Sequence, residues 1–299
     1  MRVQNGRKEK VIVIVIVTHS IYASSTENTH PNIRNLYDMS KANVASTNLT
    51  MSSTTTVITP DGSREQVEQL AIESPYSIAL NDQTIGSSMV LPVALEEFGA
   101  GFLFGQGYIK KPEELREVVV CPEGRIAVFA DVEVTEPKEV IITSGCGGTG
   151  KISKEMLEGA FDPLAECSIT FPEINKFIRE SLQSSPLGPQ THCVHGCGFW
   201  QDGKLQAYYE DVGRHNAVDK VLGAILLGKF TAKGAIYTTG RLTSDMVLKC
   251  ARIGIPIIMS RTAPSSLGLA IARRSGATLA AYARPGRVNI FNAPERIVS

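Results

Sequence analysis

The 299-residue chain has a single tryptophan, and only 6% of its residues are aromatic. It also lacks net charge, since 30 basic side chains balance 30 acidic ones. That balance gives no support to a protein whose whole surface binds nucleic acid or another polyanion, although it leaves room for a local patch. Long hydrophobic runs are missing too. The longest, VIVIVIV over residues 11–17, falls far short of the roughly 20 residues a membrane-spanning helix needs. Arg2, Arg7, Lys8 and Lys10 precede that run and imitate a secretory signal, but the run is short, Glu9 lies beside it and no A-x-A site follows. Six cysteines are too few and too irregularly spaced for a disulfide scaffold. Free thiols in a reducing cytoplasm are the better reading, with no role at a membrane.

What is present is 43% hydrophobic, enough for a real core in one large or two small domains. Residues 18–56 are rich in Ser, Thr and Asn, so a disordered or loosely attached leader is expected over 1–65, with Met51 as an alternative start. An N-terminal subdomain is expected over 66–135. Within it IESPYSIALND reads as a strand ending in an Asn-Asp turn. LPVALEEFGAGFLFGQG reads as a helix with Pro92 in its first turn and Gly105 and Gly107 stopping it. VVVCPEGRIAVFADVEV reads as a hairpin.

From 136 to 299 an α/β domain is expected. EVIITSGCGGTGK is a β run breaking into glycines, and helices follow over 154–160 and 172–182. A second hairpin turns at Asp202-Gly203. An amphipathic helix over 215–227 then opens a strand–helix alternation: AIYTT, a helix over 243–253, IPIIMS, a helix over 264–275, ATLAAYA and finally VNIFN. That order implies neighbouring parallel strands covered by helices.

In such sheets ligands bind beyond the carboxyl ends of the strands, where loop amides and helix N-termini converge. Three successive loops there each carry arginine: Gly240-Arg241, Arg261-Thr262-Ala263-Pro264 and Arg284-Pro285-Gly286-Arg287. Three in register point to a ligand with several phosphates. None of the three has a Walker or G-x-G-x-x-G pattern, which argues against a simple ATPase or dehydrogenase. Cys146 lies in SGCGGTGK directly after a strand. Its flanking glycines admit another molecule to the sulfur, and Lys151 would favour the thiolate, the form that attacks or carries a persulfide. Cys193, His195 and Cys197 alternate, which on a strand puts all three on one side. They read either as a cramped zinc site or as two buried cysteines beside one functional histidine. Residues 211–220, DVGRHNAVDK, crowd charge, glycine and histidine at a strand-to-helix junction, beyond what helix capping requires.

These segments together resemble the FdhD family, the formate dehydrogenase accessory sulfurtransferases. The resemblance runs from about Glu73 to the end through EEFGAGFLFGQGYI, SGCGGTGK, EDVGRHNAVDKVLG, the TGR segment, KCARIGIPIIMSRTAPSSLGLAIA and AYARPGRVNIFNAPERI. It implies a cytidine-deaminase-like three-layer α/β fold with an additional antiparallel N-terminal subdomain. It implies sulfur taken as a persulfide from a cysteine desulfurase and passed to molybdenum bis(molybdopterin guanine dinucleotide), a bound substrate destined for formate dehydrogenase. Cys146 matches the persulfide-carrying cysteine, and Tyr282, Ala283, Arg284, Pro285, Gly286 and Arg287 match the segment that contacts the guanine dinucleotide. Arg214, His215, Gly240 and Arg241 complete the expected cofactor-binding set, with no metal ligands. Members commonly form homodimers.

The chain departs from the family pattern in two places. Cys-x-x-Cys here has Thr149 in its second position, and Cys197 stands where a small apolar residue is usual. The expectation is that Cys193 or Cys197 replaces the missing thiol, with His195 or His215 handling protons. One alternative is a non-catalytic cofactor carrier. Another is a zinc-dependent deaminase, which would need H-x-E and P-C-x-x-C signatures that are absent. The zero net charge is itself a sum of opposites. From Arg241 to Ser299, eight arginines and Lys249 face only Asp245 and Glu295, so this stretch carries +7.

Overall fold

Thr54, Thr55, Thr56 and Val57 form a β-branched run, and such residues favour extended backbone. In the computed structural model, which describes residues 48–135, 140–142 and 151–298, they lie in a strand. β1 (Thr50–Thr59) pairs antiparallel with β2 (Gly62–Ala71) around Pro60-Asp61. Residues 50–65 are therefore a hairpin rather than part of a disordered leader. Low apolar content hid a pattern carried by threonine.

β3 (Ser74–Leu80) turns at Asn81-Asp82, both with positive φ, into β4 (Gln83–Val90), which the sequence reading missed. β5 (Leu115–Cys121) and β6 (Arg125–Ala130) form the expected hairpin, and the four strands make a sheet in the order β4-β3-β6-β5. Helix α1 (Leu95–Gly105) starts three residues later than Pro92 would place it. Val93 turns back to hydrogen-bond Leu91, and Ala94 takes a left-handed conformation before the helix begins.

β7 (Val140–Ile142) and β8 (Lys151–Ser153) pair antiparallel, followed by α2 (Lys154–Glu158). After β9 (Ile169–Thr170) come α3 (Phe171–Gln183), which opens with a capping box between Thr170 and Glu173, and the single turn α4 (Gly188–Thr191). β10 (His195–Gln201) and β11 (Lys204–Asp211) turn at Asp202-Gly203 as expected. Next are α5 (Arg214–Leu226), β12 (Ala235–Thr238), α6 (Ser244–Arg252), β13 (Ile257–Ser260), α7 (Ser266–Ser275), β14 (Thr278–Arg284) and β15 (Arg287–Asn292). β16 (Ile297–Val298) pairs with β9.

The main sheet runs β11-β10-β12-β13-β14-β15, with β12, β13 and β14 parallel. Alternation along its strands feeds two cores. Tyr237 and Met259 face Phe177 and Ile178 of α3, whereas Ile236 and Ile258 face Val221 and Leu222 of α5 and Val247 of α6. The result is an α/β protein in three layers. A third core joins the four-stranded sheet to Phe98, Phe102 and Leu103 of α1.

The other face of α1 lies on α5. A Cβ at Gly101 would come 1.8 Å from the Asp219 carbonyl oxygen, and one at Gly223 would come 1.7 Å from that of Glu97. Only glycine permits so close an approach of two helix backbones. As a result, every residue of α5 from Asn216 to Leu226 is buried, and the helix expected to be amphipathic has no solvent-exposed face over that stretch. Among the described residues no helix is long and apolar enough to cross a membrane.

Candidate functional site

The antiparallel register of β10 on β12, with Cys197 opposite Thr238, brings the start of β10 to the carboxyl ends of the parallel strands. The loops there are joined in series. Arg261 N–H donates to Thr238 O (3.0 Å), the Ser260 hydroxyl to Gly240 O (2.5 Å), and Tyr282 N–H to Thr262 O (3.0 Å). The three arginine-bearing loops inferred from sequence are thus neighbours. Arg241, Arg261, Arg284 and Arg287 are all exposed, and none forms an ion pair among the described residues.

At this edge His195 Nδ1 lies 3.1 Å from Thr239 Oγ1, which also accepts from Gly196 N–H at 3.0 Å. Burial, and then the nearby Arg214 charge, hold the His195 imidazole below its ordinary range. A neutral ring taking the Thr239 hydroxyl proton at Nδ1 fits that environment. Arg214 opens α5 and lays its stem over Gly240, where a Cβ would sit 2.8 Å from Arg214 Cβ and 3.1 Å from its Cδ. Its Nε and Nη2 are buried without a hydrogen-bond partner among the described residues. Buried polar groups are normally paired, so an unpartnered guanidinium marks a place prepared for an acceptor.

His215 faces elsewhere. Its Nε2 lies 2.6 Å from Asp245 Oδ2, and its carbonyl accepts from Lys249 Nζ at 3.2 Å. Burial lowers the His215 pKa. Burial pushes the Asp245 carboxyl up, but hydrogen bonds from His215 and Thr243 and the Lys249 charge outweigh it and hold the group well below the usual range. A neutral imidazole donating to an ionised carboxylate satisfies both directions. The pair ties the first turns of α5 and α6 together, so His215 is engaged between the two helices.

The rest of DVGRHNAVDK is joinery rather than site. Asp211 accepts from Leu91 N–H (3.1 Å), Gly213 N–H (2.9 Å), Asn216 Nδ2 (2.8 Å) and Lys220 Nζ (2.7 Å). Asn216 also donates to Met89 O, and Lys220 to Leu91 O and Glu210 O. These side chains lock the segment before α1 onto α5, a role that density of polar residues could not reveal.

The three-residue alternation is divided as well. Cys193 precedes β10 and is exposed, whereas Cys197 is wholly buried in the core. Burial and the neighbouring Cys250 push the Cys197 thiol well up, and burial pushes Cys250 up to about 12. Cys197 is therefore not available as the substitute thiol, and the cramped zinc reading loses its shared face. Cys146, Ser144 and the rest of 143–150 lie outside the described residues. Lys151 closes that segment as the first residue of β8.

In the C-terminal segment Tyr282 has φ +51° and is 38% exposed, an uncommon conformation for a bulky residue. Ala283 is fully buried, so it brings no side chain to the surface. Arg284, Pro285, Gly286 and Arg287 form an exposed turn. Gly286 N–H donates to Asn175 Oδ1 at 2.6 Å, which fixes the turn on α3. Asn175 and Thr239 were missed by sequence reading. Thr239 precedes Gly240-Arg241 directly and could have been found there, but Asn175 had no local signal.

The FdhD/NarQ family model matches residues 71–298. A relative from Wolinella succinogenes named sulfur carrier protein FdhD is 32% identical over 242 residues, covering 78% of this chain and 84% of that protein. One of the same name from Sulfolobus acidocaldarius is 32% identical over 244 residues, covering 79% and 94%. A crystal structure of a formate dehydrogenase accessory protein from Desulfotalea psychrophila is 67% identical. It aligns with a TM-score of 0.75 and covers 84% of this chain and 100% of that one.

Proposed function

The chain belongs to the FdhD/NarQ family, and on that footing we propose that it is a sulfur carrier for formate dehydrogenase maturation. In this reading the Cys146 thiolate attacks the outer sulfur of a persulfide on a cysteine desulfurase. The desulfurase cysteine leaves as its thiolate, and Cys146 keeps the transferred sulfur as a persulfide with its proton. That outer sulfur would then pass to a molybdenum bis(molybdopterin guanine dinucleotide) substrate in the cytoplasm, with Cys146 left as its thiolate and the two electrons that take the sulfur to the sulfide level supplied by the reduced metal of the substrate. A homodimer, which the resemblance implies, is part of the same proposal.

The observation that carries the binding half is Arg214, whose stem lies over Gly240 and whose two buried donors have no partner among the described residues. A phosphate, like a carboxylate, offers the paired oxygens that a planar guanidinium fits. Exposed Arg241, Arg261, Arg284 and Arg287 surround the same edge and would hold further phosphates, and the exposed Tyr282 ring offers a stacking face for a base. His195 is the better placed of the two histidines for moving a proton, since His215 is engaged with Asp245.

A second reading, a carrier that binds the cofactor without sulfur chemistry, draws on Thr149 in place of a second motif cysteine. Mass spectrometry of Cys146 after incubation with a desulfurase and cysteine separates the two. The sulfur-carrier reading expects the mass of one added sulfur atom on the Cys146 peptide, also in a Cys193→Ala variant. An unmodified peptide, with the desulfurase itself loaded, would overturn it in favour of the carrier.

A further inference from the structure

The hairpin that joins β14 to β15 is poorly held by its own residues. Pro285 and Gly286 form its two-residue loop, and proline fixes φ near about −65°. The I′ and II′ turns that match strand twist both need positive φ at that first central position, so neither is open to this loop. Gly286, at φ +86°, fits instead the second central position of a type II turn, which splays the strands it joins. Behind the loop the ladder is broken. Ala281 lies opposite Asn289 and Arg284 opposite Arg287, so two residues, Tyr282 and Ala283, stand against one, Val288. The register pair beyond this bulge consists of two exposed arginines on one face of the ribbon, where like charges repel.

Asn175 supplies what the turn lacks. In a type II turn the N–H of the second central residue takes no part in the turn's own hydrogen bond, which runs from the fourth residue back to the first. Here Gly286 N–H donates to Asn175 Oδ1 at 2.6 Å. The other half of the amide is occupied, since Nδ2 donates to Phe171 O at 3.1 Å, one turn back along α3. That bond sets which way the amide faces and leaves its oxygen for Gly286. Asn175 is only 9% exposed, so an unmet oxygen there would be costly. Its platform is firm as well. Thr170 and Glu173 cap α3, β9 pairs with β16 at the start of the helix, and Phe177 and Ile178 seat it in the core that also holds Ala283. A core helix thus grips the tip of a loop 111 positions further along the chain.

We propose that Asn175 is a positioning residue for a phosphorylated ligand: by holding Gly286 N–H, it keeps Arg284 and Arg287 together as a preformed pair for the phosphates. The proposal rests on the reading that this edge binds a polyphosphate, and it names what arranges two of the arginines beforehand. Asn175 itself needs no contact with the ligand. Guanidiniums on a turn that is already fixed cost less to order at binding, and the anion relieves their mutual repulsion.

The test is binding of guanosine diphosphate to the full-length chain, to Asn175→Leu, to Arg284→Gln/Arg287→Gln and to the three substitutions combined. Leucine keeps the bulk of asparagine without an acceptor, and Asn175→Ala is the second variant should the branched end disturb folding. Asn175→Leu is expected to weaken binding on the order of fivefold, because a loose turn must be ordered when the ligand binds. In the Arg284→Gln/Arg287→Gln background the same substitution should change binding by less than about twofold, since Asn175 acts through that pair. Exchange of the Gly286 amide proton, followed by NMR, should rise in Asn175→Leu while the amides of β12 and β13 keep their wild-type rates. A merely structural role predicts another pattern, with equal weakening in both backgrounds and faster exchange throughout the sheet. That pattern would overturn the proposal, as would wild-type affinity in both Asn175→Leu and Asn175→Ala. Failure of the polyphosphate reading is distinguishable: wild type would then show no binding that Arg284→Gln/Arg287→Gln diminishes, and the proposal would fall with it.

Discussion

Replacing Arg214 with methionine is expected to make the unliganded protein more stable and to weaken its hold on a phosphorylated ligand. Methionine keeps most of the aliphatic stem that lies over Gly240, so packing there is largely retained. What disappears is a guanidinium whose Nε and Nη2 are buried without a partner among the described residues. An unsatisfied buried polar group costs about 1–3 kcal/mol, and more when charged. Arg214 is only partly buried as a residue, so about 2 kcal/mol is a reasonable gain for the two donors together. For a domain of this size that corresponds to a rise of roughly 4–8 °C in thermal midpoint. The assay is thermal unfolding with and without guanosine diphosphate. Ligand should raise the wild-type midpoint, since anything that binds only the folded state stabilises it. Loss of a charge-assisted contact worth about 1.5–3 kcal/mol should weaken binding on the order of 10- to 100-fold in the variant. The shift should then largely vanish. A variant less stable than wild type that keeps the full ligand shift would refute the reasoning, since Arg214 would then have to be satisfied within the protein.

Asp211→Asn should destabilise the fold by about 3–5 kcal/mol, because it leaves Lys220, fully buried and with its pKa already lowered by burial, without its counterion. Urea unfolding measures the loss, and Asp211→Asn/Lys220→Met should recover part of it; equal stabilities in wild type and the single variant would contradict the role given to this pair. Asp219 tests the electrostatics by pH. Burial raises its carboxyl to about 6 against the pull of Lys249, while the unfolded chain releases that proton near 3.8. Between those values the folded state binds more protons than the unfolded one, so this group's contribution to stability falls as pH rises from about 4 to about 6. The stability of wild type relative to Asp219→Asn should decline over that window, and a flat difference would mean the carboxyl is not raised.

Much of the main sheet was legible because its signals are local. Short apolar runs end in glycine, proline or hydroxyl residues, so AIYTT, IPIIMS and ATLAAYA could be placed as strands with helices between them. The Asn81-Asp82 and Asp202-Gly203 turns follow from residues that tolerate positive φ. The hairpin over 50–71 was not legible, because threonine supplied its β-branched character and the apolar pattern was too sparse to register. Nor was the buried state of α5, whose outer face is covered by α1 through contacts between residues more than a hundred positions apart.

The same division runs through the site. By itself the amino-acid sequence determined the reactive-looking cysteine loop, the family motifs, the +7 balance after residue 240 and the three arginine loops. These are properties of neighbours along the chain and of the order in which strands follow helices. Only the tertiary structure decided what each polar residue of DVGRHNAVDK does. Asp211, Asn216 and Lys220 turn inward to the segment before α1, His215 turns to Asp245, and Arg214 is left with two donors unpartnered among the described residues. It likewise separated exposed Cys193 from buried Cys197, two thiols that the sequence presents as equivalent. Burial and hydrogen-bond partners are set by elements that arrive from distant parts of the chain, and a sequence pattern carries no record of which element will cover it.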